Sequence, residues 1–168
     1  MTTLKETLHE EHAEFLPHIE VIRETADGVG EVPVTALRGR IDEIHEFLAH
    51  RLIPHAVAEG RTLYPVFREA AGAPEVTVRM NRCHVELGRF TDELERLREG
   101  LIGPELTRGQ ERDIRRVLYG LHAIVKGHFE EEEETYRQTV EQNFSREVAS
   151  EMLNAMEQAA REIRELYE

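Results

Sequence analysis

The chain has 168 residues, the length of one ordinary domain, and a formal charge of −13 at pH 7 that opposes extended contact with a phosphate backbone or an anionic membrane. Of its 34 acidic residues all but four are Glu, and Trp is absent, a composition that favours helix and excludes an all-β fold. At 40% hydrophobic it can bury a real core. The single cysteine, Cys83, forms no intramolecular disulfide, the opening Met-Thr-Thr-Leu-Lys-Glu lacks the apolar stretch of a secretory signal, and no apolar run approaches the roughly 20 residues that span a bilayer. The expectation is a soluble cytoplasmic protein with no nucleic-acid or membrane partner.

Apolar residues at Leu4, Leu8, Phe15, Ile19 and Ile22 share one helical stripe. With a capping box of Thr3 and Glu6 and a stop at Asp27-Gly28-Val29-Gly30, they predict a first helix over 3–27. A second helix opens at Pro33 and carries Leu37, Ile41, Ile44, Leu48, Leu52, His55, Glu59, Thr62 and Val66 on one face. Pro54 and Pro65 are expected to kink or break it before Ala71-Gly72-Ala73-Pro74 ends it. The third helix starts at Pro74, runs to Glu99-Gly100, and carries Met80, Cys83, Leu87, Phe90, Leu94 and Leu97, with His84 at the edge of the stripe.

Thr107 and Gln110 form the capping box of a fourth helix, which aligns Ile114, Val117, Leu118, Leu121, Val125, His128, Glu132 and Tyr136. A fifth follows the cap Ser145 with Val148, Met152, Met156, Ala159, Ile163 and Leu166. These elements predict a single all-α domain over 1–168: an antiparallel up-down-up-down four-helix bundle over about 3–142, with an additional C-terminal helix over about 145–167 packed outside or across one end.

The informative feature is polar residues at core positions, where an unpaired imidazole or carboxylate costs several kcal/mol. His55 with Glu59, and His128 with Glu132, are each four residues apart, on one face and one turn from each other. Number alone means little, since nine His with roughly 30/168 odds each give about 1.6 such pairs by chance. Their phase is the evidence: both pairs sit at the centre of an apolar stripe. His12 lies within about 45° of its stripe centre, and His84 gives the third helix a histidine too. Four imidazoles and two carboxylates converging in a bundle suit two borderline metal ions bridged by the carboxylates, with iron fitting best, then manganese or zinc.

The order His12, His55 to Glu59, His84, His128 to Glu132 resembles the hemerythrin-like HHE cation-binding family, in its single-domain bacterial form, over roughly residues 4 to 142. The segments Leu-Ile-Pro-His-Ala-Val-Ala-Glu-Gly-Arg-Thr-Leu-Tyr-Pro and His-Phe-Glu-Glu-Glu-Glu-Glu-Thr-Tyr look like those of the family. Gly60 departs from its usual second Glu, and Tyr136-Arg137 replaces a Leu-Phe-Pro ending. The oxygen carrier hemerythrin takes two histidines one turn apart from its third helix, whereas Met80 and Gly88 flank His84 at that spacing.

The resemblance implies two iron ions in an oxo- or hydroxo-bridged non-haem centre, with Glu59 and Glu132 bridging and His12, His55, His84 and His128 as terminal ligands. One iron falls short of a ligand, for which His18, His122 and Tyr64 are candidates, although Tyr64 projects away from the ideal stripe. The ligands implied are O₂, hydrogen peroxide or NO. Peroxide disproportionation, reversible binding and iron or redox sensing all remain open, as does a monomer against a small homo-oligomer.

Other readings are weaker. His18, His45 and His122 read as structural histidines, Glu130 to Glu134 apart from Glu132 as a solvated face, and Cys83 as a small buried hydrophobe. Ferritin-like di-iron proteins need two Glu-x-x-His motifs, and only Glu6-Thr7-Leu8-His9 matches. No His-Glu-x-x-His or Gly-rich phosphate loop is present.

Overall fold

The computed structural model describes residues 4–72 and 74–166. Thr3 of the expected capping box, and the side chains of Leu4 and Leu8, lie outside the described part. The helices are α1 (Leu4–Asp27), α2 (Val34–Phe47), α3 (Ile53–Ala71), α4 (Pro74–Glu99), α5 (Arg108–Asn143) and α6 (Arg146–Glu165), with a π-helical turn at Leu48–Leu52 between α2 and α3. Helical backbone runs through that turn, so α2 and α3 form one rod. With α1, α4 and α5 this rod makes the four-helix bundle, and α6 packs mainly along α3.

Local chemistry sets the boundaries. Gly30 takes φ +79°, a left-handed conformation that glycine adopts at no steric cost, and turns the chain after α1. At the head of α5 the Thr107 amide donates to Gln110 Oε1 at 2.9 Å and the Gln110 amide to Thr107 Oγ1 at 3.2 Å, the expected reciprocal cap. Ser145 Oγ accepts from the Val148 amide as the cap of α6. Gly120 is a site of close approach, because a Cβ there would meet the Phe90 ring at 2.8 Å.

The expected break in the second helix is the π turn, placed just ahead of Pro54. Past it the predicted stripe holds at His55 and Glu59 and departs further on: Leu63, Tyr64 and Phe67 are buried in the cluster that α6 completes, where Thr62 and Val66 were expected, and those two are only half-buried. The stripe of α6 holds at Met156 and Ile163 and is one residue out elsewhere: Ala149, Leu153 and Ala160 are buried, Met152 and Ala159 only partly so, and Val148 and Leu166 are exposed. In α4 the stripe holds at Met80, Leu87 and Leu94, with Cys83 half-buried.

Two apolar clusters result. One fills the bundle toward the α1–α2 and α4–α5 connections, around Ile19, Ile22, Leu37, Ile41, Leu94 and Leu118. The other, around Leu63, Phe67, Met80 and Tyr136, is completed by α6. The buried histidines and glutamates lie between them. No described helix is long and apolar enough to cross a membrane.

Candidate metal centre

His12 comes from α1, His55 and Glu59 from the first turns of α3, His84 from α4, and His128 and Glu132 from α5. All are buried except His84, whose side chain is 14% exposed. Glu59 and Glu132 are fully enclosed, a placement that costs several kcal/mol per carboxylate without compensating partners.

Two groups of ligand atoms form, and they share one residue. His12, His55 and Glu59 present atoms within 4.8 Å of one another, and so do Glu59, His84 and His128. Glu59 Oε1 lies 2.6 Å from His55 Nε2 and 3.9 Å from His12 Nε2, while Oε2 lies 3.3 Å from His84 Nε2 and 3.8 Å from His128 Nε2. Glu132 Oε2 spans the same gap, 3.5 Å from His12 Nε2 and 3.6 Å from His128 Nε2.

The atoms face each other without satisfying each other. His12 Nε2, His55 Nε2 and all four oxygens of Glu59 and Glu132 are buried with no hydrogen-bond partner among the described residues. The His55 to Glu59 contact, though short, lacks the orientation of a hydrogen bond. Orphaned buried polar atoms are rare in folded proteins, and six on one centre are what cations would satisfy once the imidazoles give up their protons.

The surroundings fix the rings. His12 stacks on Phe129 at 4.0 Å between centroids, and Phe15 meets His55 edge-on at 5.1 Å. Glu133 accepts from His12 Nδ1 at 3.1 Å, which directs the Nε2 lone pair of the neutral ring inward. Glu11 lies 3.7 Å from His55 Nδ1. Tyr64, inside the centre rather than off the stripe, brings its hydroxyl 3.0 Å from His84 Nε2, itself 3.0 Å from His128 Nε2.

Charges in this enclosure shift each other. Burial disfavours charge on His12, but Glu132, Glu133 and Glu59 beside it outweigh that and hold its pKa well above the usual histidine range. His55 and His128 are raised against the same burial by Glu59 and by Glu59 with Glu132 respectively. Burial would raise the carboxyl of Glu59, yet His55, His12 and His128 hold it well below the usual carboxylate range. Glu11 is raised by burial, and Tyr64 is pushed up by burial and by the Glu132 and Glu59 charges, so its phenol stays protonated.

The other candidates lie elsewhere. His18 is exposed, stacks on Phe47 and meets Arg51, while His122 pairs with Glu20 at 3.3 Å and His45 lies 3.9 Å from Glu95. Cys83 borders a small void beside Glu59, His84 and His128. Sequence reasoning missed Glu133, read there as part of a solvated run, and nothing in that run sets it apart from its neighbours.

An all-α bundle with two histidine-carboxylate groups sharing a buried glutamate defines the class as a metal-binding helical bundle. Its lineage follows from the match of residues 3–136 to the hemerythrin HHE cation-binding domain: the chain belongs to that family. Comparison with curated proteins and with solved structures gives no significant match.

Proposed function

We propose that the protein is a non-haem di-iron protein that binds or processes O₂ or hydrogen peroxide. The observation that carries this reading is the shared Glu59, one oxygen directed to His12 and His55 and the other to His84 and His128, with Glu132 reaching across the same gap. On this reading His12 and His55 would hold one ion and His84 and His128 the other, with Glu59 and Glu132 serving both. Mixed imidazole and carboxylate donors favour iron over the softer-ligand metals, with manganese and zinc behind.

A di-iron centre supplies Lewis acidity and one- or two-electron chemistry toward oxygen species. The protein's own contribution is to keep imidazole lone pairs inward, hold two carboxylates dry, and exclude bulk water with Phe15, Phe129 and α6. Tyr64 offers a hydroxyl at the His84 side, placed to donate a hydrogen bond to a small oxygen species there. The dry enclosure favours a second reading, reversible binding of O₂ or NO without turnover.

Metal content by plasma mass spectrometry with the ultraviolet-visible spectrum is the first test. About two irons per chain with near-ultraviolet charge-transfer absorption supports the centre, and no iron after anaerobic Fe(II) reconstitution overturns it. Oxygen evolution from peroxide that disappears with Glu132→Ala then supports the enzyme, whereas a stable oxygenated spectrum without turnover supports the carrier.

A further inference from the structure

The His12 side of the centre is sealed by stacked rings, but the His84 side borders a groove. It has a volume of about 300 Å³ and mostly apolar walls between α3 and α4, where Ala56, Gly60, Asn81, His84, Leu87 and Gly88 line it. A void of about 10 Å³, room for roughly one water, lies against Glu59, His84 and His128. Groove and void share Ala56, His84 and Leu87 in their walls.

The two glycines are the telling part. Glycine inside a helix is destabilising relative to alanine, and nothing in the packing asks for it here. A Cβ at Gly88 would meet nothing within 4 Å, and one at Gly60 only Asn81 Oδ1, at an ordinary 3.6 Å. What both glycines do is leave the groove unfilled in front of His84, the one partly exposed member of the centre.

We propose that a small uncharged oxygen species, O₂ or hydrogen peroxide, enters the centre from the His84 side through the α3–α4 groove, past Gly60 and Gly88. Apolar walls and a net charge of −13 favour a neutral molecule over an anion. The inference rests on the di-iron reading for its ligand, but the route is a property of the chain itself.

Gly88→Leu and Gly60→Leu test it, with Gly39→Leu as the control, since Gly39 also has open space around it and lies outside the groove. In the reduced iron-loaded protein, stopped-flow association of O₂ should slow by about tenfold or more in both groove variants and stay unchanged in the control, with metal content and circular dichroism equal in all. In the metal-free protein, xenon should perturb the Leu87 and Ala56 methyl resonances of the wild type and much less those of Gly88→Leu. Unchanged association in both groove variants, or no xenon response in the wild type, overturns the route. Failure of iron loading with a normal xenon response overturns the di-iron reading instead and leaves the route supported.

Discussion

His12 and His55 are held on every side, by the Phe129 and Phe15 rings, by Glu133 and by the nearby Glu11. His84 and His128 use the same two carboxylates but face a phenol, a small void and a surface groove. One half is thus built for rigidity and the other for access, and because Glu59 belongs to both, damage to it cannot be confined to either. Glu59→Ala is therefore expected to have the largest effect: metal content falling from about two ions per chain to near zero. Retention of both ions would break the shared-bridge account.

Single histidines should separate the halves. His12→Ala and His84→Ala are each expected to leave about one metal per chain, and the double variant none. Anomalous diffraction on crystals of each variant then tells which position remains. Loss of both metals from either single variant would mean that the two sites fill only together.

The difference between the halves also marks how far the sequence could be read. His55, Glu59, His128 and Glu132 were visible because burial of His or Glu at the centre of an apolar stripe conflicts with solvation, and helical period alone locates that conflict; His12 and His84 sit off the stripe centre and were picked out by giving each of the other two helices a histidine. Tyr64 was misplaced, with Thr62 and Val66, because α6 packs along α3 and buries Leu63, Tyr64 and Phe67 beyond the stripe that His55 and Glu59 keep, and the period of one helix does not report a neighbour on its other side. Glu133 was lost for a different reason. Its partner His12 is 121 residues away in sequence, and a run of five glutamates carries no periodicity to single one out. The α6 stripe held at Met156 and Ile163 but slipped at Ala149 and Ala160, because alanines count for little in hydrophobic patterning.

The charged enclosure predicts opposite pH responses with and without metal. His12, His55 and His128 are raised from the ordinary 6.5, so their contribution to metal-free stability is full below about pH 6.5 and is lost as pH rises through the raised values. Glu59 is lowered from 4.5, so its contribution is present above about pH 4.5 and is lost as pH falls through the lowered value. The metal-free protein should then be more stable in denaturant melts near pH 5.5 than near pH 8.5. Metal binding expels the imidazole protons, so the loaded protein should reverse that order. The same order in both forms would break the assignment.

Glu133 sharpens the rigid half. Glu133→Ala removes the acceptor at His12 Nδ1 and is expected to weaken one of the two metal positions by about 10- to 100-fold, with the other unaffected. Glu133→Gln keeps an acceptor there and should restore most of the affinity. Equal weakening by both variants would mean that charge rather than ring orientation is what Glu133 supplies.

Tyr64 does the corresponding work in the open half, with a smaller expected effect. Its hydroxyl occupies His84 Nε2, the same atom that faces Glu59 Oε2, so a metal taking that nitrogen must displace the hydrogen bond. A net hydrogen bond contributes about 1 kcal/mol, roughly a factor of five in an equilibrium constant. Tyr64→Phe should therefore tighten metal at the His84 position by a few-fold. The opposite result, weaker metal together with loss of a phenolate-to-metal absorption band, would make Tyr64 a ligand. Titrating both proteins with Fe(II) under anaerobic conditions, followed by oxidation and visible spectra, decides between a hydroxyl that yields to the metal and one that binds it.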